Sequence, residues 1–336
     1  MKYKIDEKPE MVICIVGIGN FLRLTEPCCF VYNNIIKEGI AMAFCIITDS
    51  ASDIPKRIID EYKLHVIPTP VTLDGEDYFD GATLQPDEFY RIQKENKVDI
   101  KTYHISQFMF YENFKPFAER GDEVLYICFS TGIAGTFQAA NLAKDDLLEE
   151  FPDFKITIID SKCASLGFGL VVYKLLRMQK NGAPKELLIE AAEYFCGHME
   201  HVVTVNTLEY LARGGRLSKT SAAVGGVLDI KPIIIVNENG ALESVEKVRG
   251  MKKTLKRCLE MVKEKGASLE KQIVGVVYGA DKADAEPVIT ALKDEIGVKE
   301  VLLGQVGCAI GAHTGPGIVA IVFENAYDEK YEEYLK

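Results

Sequence analysis

The fold class is indicated best by one segment, Val124-Leu-Tyr-Ile-Cys-Phe129-Ser130-Thr131-Gly132-Ile133-Ala134-Gly135-Thr136. It joins an apolar, strand-like run to a polar turn that contains two glycines. A helical pattern follows it as far as about Glu150. Short apolar runs that alternate with helical patterns are typical of parallel sheets covered by helices. The segment therefore predicts an α/β protein.

The pattern of an apolar strand followed by polar residues recurs along the first two thirds of the chain. Further strands are predicted at Phe44–Ile47, Ile156–Ile159 and Val202–Val205, and each is followed by hydroxyl or carboxylate residues. Asp53 is predicted to cap the helix that opens at Pro55, since aspartate favours the N-cap and proline the first turn.

The first residues differ from this pattern. The regular alternation begins only after Met42, so residues 1–42 are predicted to be a non-native or disordered extension with Met42 as the native start. The Gly17-Ile-Gly19 element in this extension lacks the third glycine and the acidic residue of a dinucleotide site. We expect no cofactor.

The second half of the chain combines strands and helices in a different order. A helix that starts near Leu208 is ended by Gly214, and Asn237-Glu-Asn-Gly240 is predicted to join two antiparallel strands. Later elements are predicted at 251–265 (helix), 273–278 (strand), 284–295 (helix), 301–304 (strand) and 318–323 (strand). The prediction is a mostly parallel α/β domain at 43–205, an α/β domain with a mixed sheet at 206–326, and a C-terminal tail at 327–336.

Composition excludes several classes of protein. The net charge of the 336 residues is −11 and no basic run occurs, which argues against a nucleic-acid partner. No run of about 20 apolar residues occurs, so no membrane span is expected. The nine cysteines are scattered and include no Cys-x-x-Cys pair, which predicts reduced thiols, a cytoplasmic protein and no metal site.

Polar residues at the strand ends are candidates for a binding site. They are Thr48, Asp49, Ser50, Ser130, Thr131, Asp160, Ser161 and Ser165. Ligands of open α/β sheets bind at the carboxyl ends of strands, and helices that start there favour anions. These residue types are also the preferred helix N-caps, which is the alternative explanation at each position taken alone. Several of them at one sheet edge favour a pocket.

His313 is a second kind of candidate, because it lies among glycines in the segment Gly307–Gly317. Glycine allows close approach to the main chain, and Pro316 stiffens the turn. We expect a loop whose imidazole meets a small anionic group. The alternative is a tight turn in which the histidine only caps the local backbone.

Taken in chain order, these motifs resemble the DegV family of bacterial fatty-acid-binding proteins over about residues 43–326. The matching segments are Thr48–Asp53, the Thr102 segment, Ser130–Thr136, Asp160-Ser161 with Ser165-x-Gly167, Arg213–Ser218, Lys231-Pro232, Arg249 and Gly311–Gly317. The resemblance implies two α/β domains with a tunnel between them for one long-chain fatty acid. It also implies a fatty acid kinase partner that phosphorylates the presented carboxylate, so that this chain is a carrier and has no catalytic residues.

The resemblance assigns roles to individual residues. Thr102 matches the threonine that bonds the fatty-acid carboxyl group, and His313 matches the histidine of the same network. A serine of the family falls at Ala134, so backbone N–H groups at Ala134 and Gly135 are expected to bind the carboxylate, or Ser130 or Thr131 to replace the missing hydroxyl.

Other carried-over positions lie around this headgroup site. Tyr103 and His104 replace smaller residues of the family pattern and add bulk or a further donor. Arg213, Arg216 and Arg249 match arginines of the kinase-facing surface, with helix capping or solvation as the alternative. Candidate tunnel walls are Phe108, Met109, Phe110, Phe114 and the apolar helix 166–178, all of which also suit an ordinary core.

Two other functional classes remain open from the residues alone. Ser130, His313 and either Asp49 or Asp160 contain the residue types of a hydrolase triad, although no Gly-x-Ser-x-Gly element occurs. A phosphotransferase is possible by fold analogy, but no Walker-type loop is present. A structural interaction protein without ligand would leave Thr102 and His313 unexplained. A transient contact with a membrane surface is a further expectation.

Overall fold

The computed structural model describes residues 42–95, 98–217 and 229–336. The predictions for residues 1–41 and for Ser218 therefore lie outside the described residues. Three sheets and a set of helices run through the described part of the chain. The helices are α1 (Lys56–Tyr62), α2 (Pro86–Lys94), α3 (Gln107–Arg120), α4 (Thr136–Glu150), α5 (Leu166–Lys180), α6 (Lys185–His198), α7 (Glu209–Arg213), α8 (Met251–Lys265), α9 (Glu286–Ala291) and α10 (Cys308–Thr314).

The first sheet is parallel throughout, as predicted for the N-terminal part. Its order is β2-β1-β6-β7, formed by β1 (Phe44–Asp49), β2 (His65–Ile67), β6 (Glu123–Cys128) and β7 (Lys155–Asp160). Helices cover both faces, which is why its central strands are continuously apolar. The carboxyl ends of these strands lie at one edge, so the polar residues that follow β1, β6 and β7 are neighbours.

A small antiparallel sheet was not predicted. It has the order β4-β3-β5, formed by β3 (Pro70–Leu73), β4 (Glu76–Phe79) and β5 (Ile100–Thr102). These strands are three or four residues long, too short for a clear periodic signal. The sheet matters for the site because Thr102 is the last residue of β5.

The third sheet is mixed, as predicted for the second domain. Its order is β10-β9-β8-β13-β11-β12, from β8 (Met199–Thr204), β9 (Ile230–Val236), β10 (Leu242–Arg249), β11 (Ile273–Tyr278), β12 (Glu300–Gln305) and β13 (Val319–Glu324). Only β11 and β12 run parallel among its described pairs. Since β8 belongs to this sheet, the chain enters the third sheet before residue 205. The domain boundary at 205–206 stays a prediction.

Helix α5 connects the first and third sheets. Nearly every residue from Leu166 to Met178 is buried, which is the pattern of a helix packed on all sides. Its one buried charge, Lys174, pairs with Glu324 at 2.6 Å and lies over the ring of Phe195. The core around α5 is continuous between the two sheets and includes Tyr331 of the C-terminal segment 327–336, which therefore packs against the molecule.

Two local predictions are wrong. Asp53 does not cap α1, because Pro55 occupies the N-cap and Asp53 adopts a left-handed conformation after a 3-10 turn at Ser50–Ser52. The segment Gly307–Gly317 is not a loop, since Cys308–Thr314 forms α10. Its glycines hid the helical signal, because glycine lowers helix propensity. Every helix of the described residues is too short or too polar to cross a bilayer; membrane-surface contact stays a prediction.

Candidate functional site

An apolar cavity lies between the first and third sheets. One wall comes from the strand ends of the first sheet and the other from the face of the third sheet. The space between them is about 1000 Å3 in total, and part of that volume is open to solvent. The third-sheet wall consists mainly of Val203, Val205, Ile234, Val236, Leu242, Val277, Ala320 and Val322.

Thr102 and His313 meet at one end of this cavity. The hydroxyl oxygen Oγ1 of Thr102 lies 2.7 Å from Nε2 of His313, across 211 residues of sequence. β5 supplies the threonine and α10 the histidine. Gly214 makes room for the imidazole, because a Cβ at that position would lie 2.0 Å from Nδ1 of His313.

The imidazole of His313 is neutral at physiological pH. Burial lowers its pKa to about 4, and the positive charges of Arg216 and Arg213 act in the same direction. A neutral imidazole has one donor and one acceptor nitrogen. Nδ1 is buried without a hydrogen-bond partner among the described residues. The pair can therefore adjust its proton arrangement to a ligand.

A second, more polar pocket opens on the other side of the same pair. Thr102, His313 and Arg216 line both spaces. Lys101, Asp99, Arg213 and Tyr210 are among the residues that line only the outer pocket. An anion at the end of the inner cavity would thus lie between an apolar interior and a basic exterior.

The amino end of α10 is held by two buried carboxylates. Asp80 accepts hydrogen bonds from the N–H groups of Cys308 at 2.8 Å and Ala309 at 3.2 Å, and Asp53 accepts one from Gly307 at 2.7 Å. A Cβ at Gly307 would lie 2.8–3.0 Å from these carboxylates, so a side chain there would displace them. This contact positions the helix that carries His313.

Sequence reasoning missed Asp80 and misassigned Asp53. Desolvation raises the pKa of both carboxyls, and their mutual repulsion raises that of Asp53 further. Asp80 stands in an irregular segment after β4, where no local pattern marks it. Only the fold brings it within reach of α10, 228 residues along the chain.

The polar residues at the end of β1 form their hydrogen bonds with other residues of the protein. Thr48 donates to the carbonyl of Ile127, and Ser50 donates to Asp80 and accepts from the N–H of Thr69. Asp49 lines the cavity, but its carboxylate already accepts from Tyr126 at 2.7 Å and from the N–H of Ala51 at 3.0 Å.

The residues after β6 and β7 form a second local network. Ser130 donates to the carbonyl of Gly240 at 2.8 Å, and Thr131 and Lys162 bond to Asp160. Ser161 is buried and accepts from the N–H of Cys163. Ser165 lines the cavity and donates to Asp53.

These partners separate the components of the hydrolase triad considered above. Ser130 bonds Gly240, His313 bonds Thr102, and Asp49 and Asp160 bond Tyr126 and Thr131. A triad needs the serine, the histidine and the carboxylate in one hydrogen-bonded series. The geometry does not favour a hydrolase, and it does not place Ser130 or Thr131 in the cavity wall.

Ala134 lies in the cavity wall, as its match to the family serine suggests. Its N–H is bonded to the carbonyl of Ser130 at 3.1 Å and is therefore not free for a ligand. Gly135 is the N-cap of α4 and has no side chain to cap the first turn, and Thr136 lines the cavity. Tyr103 and His104 are exposed and line the cavity next to Thr102; this solvent-facing part of the cavity is its mouth.

The three arginines do not share one environment. Arg216 is half-buried, donates to the carbonyl of Gly214 at 2.7 Å and lines both pockets. Arg213 is exposed, lies over the ring of Tyr210 and lines the outer pocket. Arg249 is exposed at the end of β10 and lines neither space.

The candidate tunnel walls do not line the cavity, and the alternative of an ordinary core is confirmed for most of them. Phe110 and Phe114 belong to the core between α3, α4 and the first sheet, and Phe108 is 54% exposed. Met109 packs on that core, and the residues of α5 fill the space between the sheets without lining the cavity. The actual walls come from strands whose alternate residues face the cavity. The sequence shows this alternation, but it does not show which face of the strand lines the cavity.

The comparisons with known proteins agree with this architecture. The model of the family described as "Uncharacterised protein, DegV family" matches residues 43–326. A DegV domain-containing protein of Clostridium perfringens is 33% identical over 282 residues, which cover 83% of this chain and 97% of that protein.

Solved structures show the same fold. A DegV family protein from Thermus thermophilus, whose structure is described as showing fatty acid binding, has a TM-score of 0.75 and 27% identity, covering 84% of this chain and all of that one. A stearic-acid-binding protein from Eubacterium ventriosum has a TM-score of 0.76 and 27% identity, covering 84% of this chain and 98% of that one. The chain belongs to the DegV family.

Proposed function

We propose that this protein binds one long-chain fatty acid in the cavity between the sheets and presents its carboxylate at the Thr102–His313 pair. The observation that carries the proposal is an apolar cavity with one polar end, where a threonine hydroxyl and a neutral imidazole are hydrogen-bonded at 2.7 Å. Structures of relatives described as fatty-acid-binding support it.

The two ends of the cavity have different energetic roles. Each acyl methylene that leaves water contributes about 0.8 kcal/mol, so the apolar walls supply most of the affinity. A carboxylate that enters without partners would lose several kcal/mol or take up a proton. The polar end therefore fixes the orientation of the chain and keeps the headgroup ionised.

The proton arrangement of the pair suits a carboxylate. If Nε2–H of His313 donates to Oγ1 of Thr102, the threonine proton is free to donate to the ligand. The uncapped first turn of α4, next to Gly135, offers further N–H groups near the mouth. Arg216 adds a positive charge on the same side.

We propose further that catalysis is supplied by a fatty acid kinase partner. The outer pocket contains Arg213, Arg216 and the Lys101–Asp99 ion pair, so its net charge is positive where a partner would approach the presented carboxylate. Phosphoryl transfer needs groups that hold ATP, and the sequence has no Walker-type loop. A partner that uses ATP places this exchange in the cytoplasm. Ester or ATP turnover by the purified protein alone would favour the enzyme class instead.

The first experiment is to denature the purified protein, extract it with organic solvent and identify the extract by mass spectrometry. We expect about one fatty acid per chain. An empty protein that also fails to take up added stearate would contradict the proposal.

Thr102→Val tests the headgroup contact, because valine keeps the shape and removes the hydroxyl. A hydrogen bond to a charged group contributes about 1.5–3 kcal/mol, so stearate affinity should fall about 10- to 100-fold. His313→Ala should have an effect of similar size. Thr102→Ser keeps the hydroxyl and is the matched control, which should bind nearly as well as wild type. Unchanged affinity in both Thr102→Val and His313→Ala would refute the assignment.

A further inference from the structure

The cavity wall contains a histidine that the headgroup site does not use. His201 lies in β8, where His201, Val203 and Val205 face the cavity while Val202 faces the opposite core. It is 2% exposed. His201 precedes the strand predicted at Val202–Val205, so the strand pattern did not mark it.

The hydrogen bonding of His201 fixes its tautomer. The backbone N–H of Ala164 donates to Nε2 at 3.3 Å, so Nε2 is an acceptor and carries no proton. Burial lowers the pKa of this imidazole to about 4, so the ring is neutral near pH 7. The single ring proton is therefore on Nδ1.

The Nδ1–H group of His201 has no hydrogen-bond partner among the described residues. The far edge of the ring faces Gly167, where a Cβ would lie 1.9 Å from Nε2, so Nδ1 is on the side of the ring nearer the strand. The cross-strand neighbour on β13 is Val322, and Val236 lies two residues beyond the Val203–Ile234 pair on β9. Both neighbours are apolar and line the cavity.

The other polar groups deep in the cavity already have partners. Asp49 accepts from Tyr126 and Ala51, and Ser165 donates to Asp53. A buried donor without an acceptor is unfavourable, and few occur in folded proteins unless a ligand or water completes them. His201 therefore marks one place in an otherwise apolar wall where a ligand can offer an oxygen.

We propose that the preferred acyl ligand carries an oxygen within its chain, as a hydroxyl or keto group, which accepts a hydrogen bond from Nδ1–H of His201. This inference rests on the proposed function and names the class of fatty acid that the cavity selects. A hydroxyl and a keto oxygen offer the same acceptor, and the experiment below distinguishes them.

The strand register indicates where on the chain this oxygen should lie. Thr204 pairs with Val319, so Val205 and Ile318 form the level nearest α10 and the headgroup, whereas His201 and Val322 form the deep level. The two levels are four residues apart, about 13 Å along an antiparallel strand. An extended chain advances about 1.2 Å per bond, so about ten to twelve carbons separate them.

The experiment compares 18-carbon acids that differ only in the chain oxygen. The probes are stearate, its 10-hydroxy and 12-hydroxy derivatives, 10-ketostearate and, as an early-position control, 3-hydroxystearate, each measured by competition for the delipidated full chain. We expect one of the mid-chain oxygenated acids to bind about five- to tenfold more tightly than stearate, a difference of about 1–1.4 kcal/mol. The 3-hydroxy acid should show no such gain.

Two variants separate the roles of the two ring nitrogens. His201→Gln places an acceptor near the position of Nε2 and removes the donor at Nδ1, so the preference for the oxygenated acid should disappear. His201→Asn keeps a donor near the position of Nδ1 and loses the contact with Ala164, so the preference should persist in a less stable protein. Stearate affinity and thermal unfolding are measured for both.

The outcomes are distinct. If wild type binds stearate but binds every mid-chain oxygenated acid equally or more weakly, the role of His201 is refuted and the proposed function stands. If wild type binds none of the acids, the proposed function itself fails. A preference that His201→Gln retains would also overturn the assignment, because it would show that another group accepts or donates the bond.

Discussion

The two walls of the cavity differ in their polar side chains and in the partners to which those side chains are hydrogen-bonded. The first-sheet wall contains Asp49 and Ser165, but their hydrogen bonds are made to Tyr126, Ala51 and Asp53 within the protein. The third-sheet wall is almost entirely aliphatic. Polar strand ends therefore hold the fold together here, whereas the apolar face is the surface that a ligand would contact.

The difference follows from the two kinds of sheet. A parallel sheet is covered by helices on both faces, so its loops turn sharply at the strand ends and need side chains to bond their backbone groups. The mixed sheet has helices α8 and α9 on one face only, and its other face is divided between α5 and the cavity. Alternate residues such as Val203 and Ala320 are therefore free to meet an acyl chain.

The largest expected effect on stearate affinity comes from a bulky side chain that enters the cavity from the third-sheet wall. Ala320 is buried in β13 and lines the cavity. In Ala320→Phe the ring occupies space that about four methylenes would otherwise fill, which removes about 3 kcal/mol, or about 100-fold in stearate affinity. Equilibrium binding of stearate measures the effect.

The matched control for this change is Ala82→Phe, which adds the same ring at an exposed turn. It should bind stearate like wild type. Circular dichroism should show both variants folded. If Ala320→Phe binds as tightly as Ala82→Phe, the acyl chain does not follow the third sheet and the comparison of the walls is wrong.

An intermediate effect is expected from replacing Asp49 in the first-sheet wall. The change should alter the free energy of unfolding and its dependence on pH. Burial is the main cause that raises the pKa of Asp49 to about 6, so the folded protein keeps this proton while the unfolded chain releases it near pH 3.8. Wild-type stability should therefore lose a contribution as pH rises from 4 to 6. Asp49→Asn has no such proton, so its stability relative to wild type should rise over this range, by at most about 3 kcal/mol.

Chemical denaturation of both proteins between pH 4 and pH 7.5 tests this prediction. The difference between them should level off above about pH 6 to 7, where the carboxyl of Asp49 is ionised in both states of the wild type. Other buried groups, including His201 and His313, titrate in both proteins, so their contributions largely cancel in the difference in stability between wild type and Asp49→Asn. Parallel stability curves would show that Asp49 is ionised in the fold at all these pH values.

The smallest effect is expected where the two walls meet at the mouth. Arg216 lines the cavity, and Arg249 lies outside it. Arg216→Gln should weaken stearate binding about two- to fivefold at low salt and less at high salt, since a half-exposed charge contributes little. Arg249→Gln should leave stearate affinity within twofold, because Arg249 lines neither pocket. Equal losses in both variants would contradict a specific role for Arg216.

The regular elements were largely predictable. The helix at 251–265 and the strand at 273–278 match the structure residue for residue, because each has a clear period and clear ends. The small sheet β3–β5 was missed, since its strands are too short to show a period. α10 was predicted to be a loop, because four of the eleven residues from Gly307 to Gly317 are glycine.

The candidate site was predictable only in part. Thr102 was predicted through the family resemblance, and His313 both from its glycine-rich segment and from the resemblance. The structure brings Oγ1 of Thr102 and Nε2 of His313 to 2.7 Å. Ser130 and Thr131 were named with them, but their side chains bond to Gly240 and Asp160 instead. A residue type shows which bonds a side chain can make, but its partner depends on which loops the fold brings together.

Local periodicity and the order of motifs were enough to establish the α/β class, the parallel and mixed character of the two larger sheets and membership of the DegV family. Three features became evident only in the folded molecule: Asp80 holds α10, Thr102 bonds His313, and Nδ1 of His201 has no partner among the described residues. The physical reason is that each of these facts depends on hydrogen bonds across sheets, between residues that no local pattern connects.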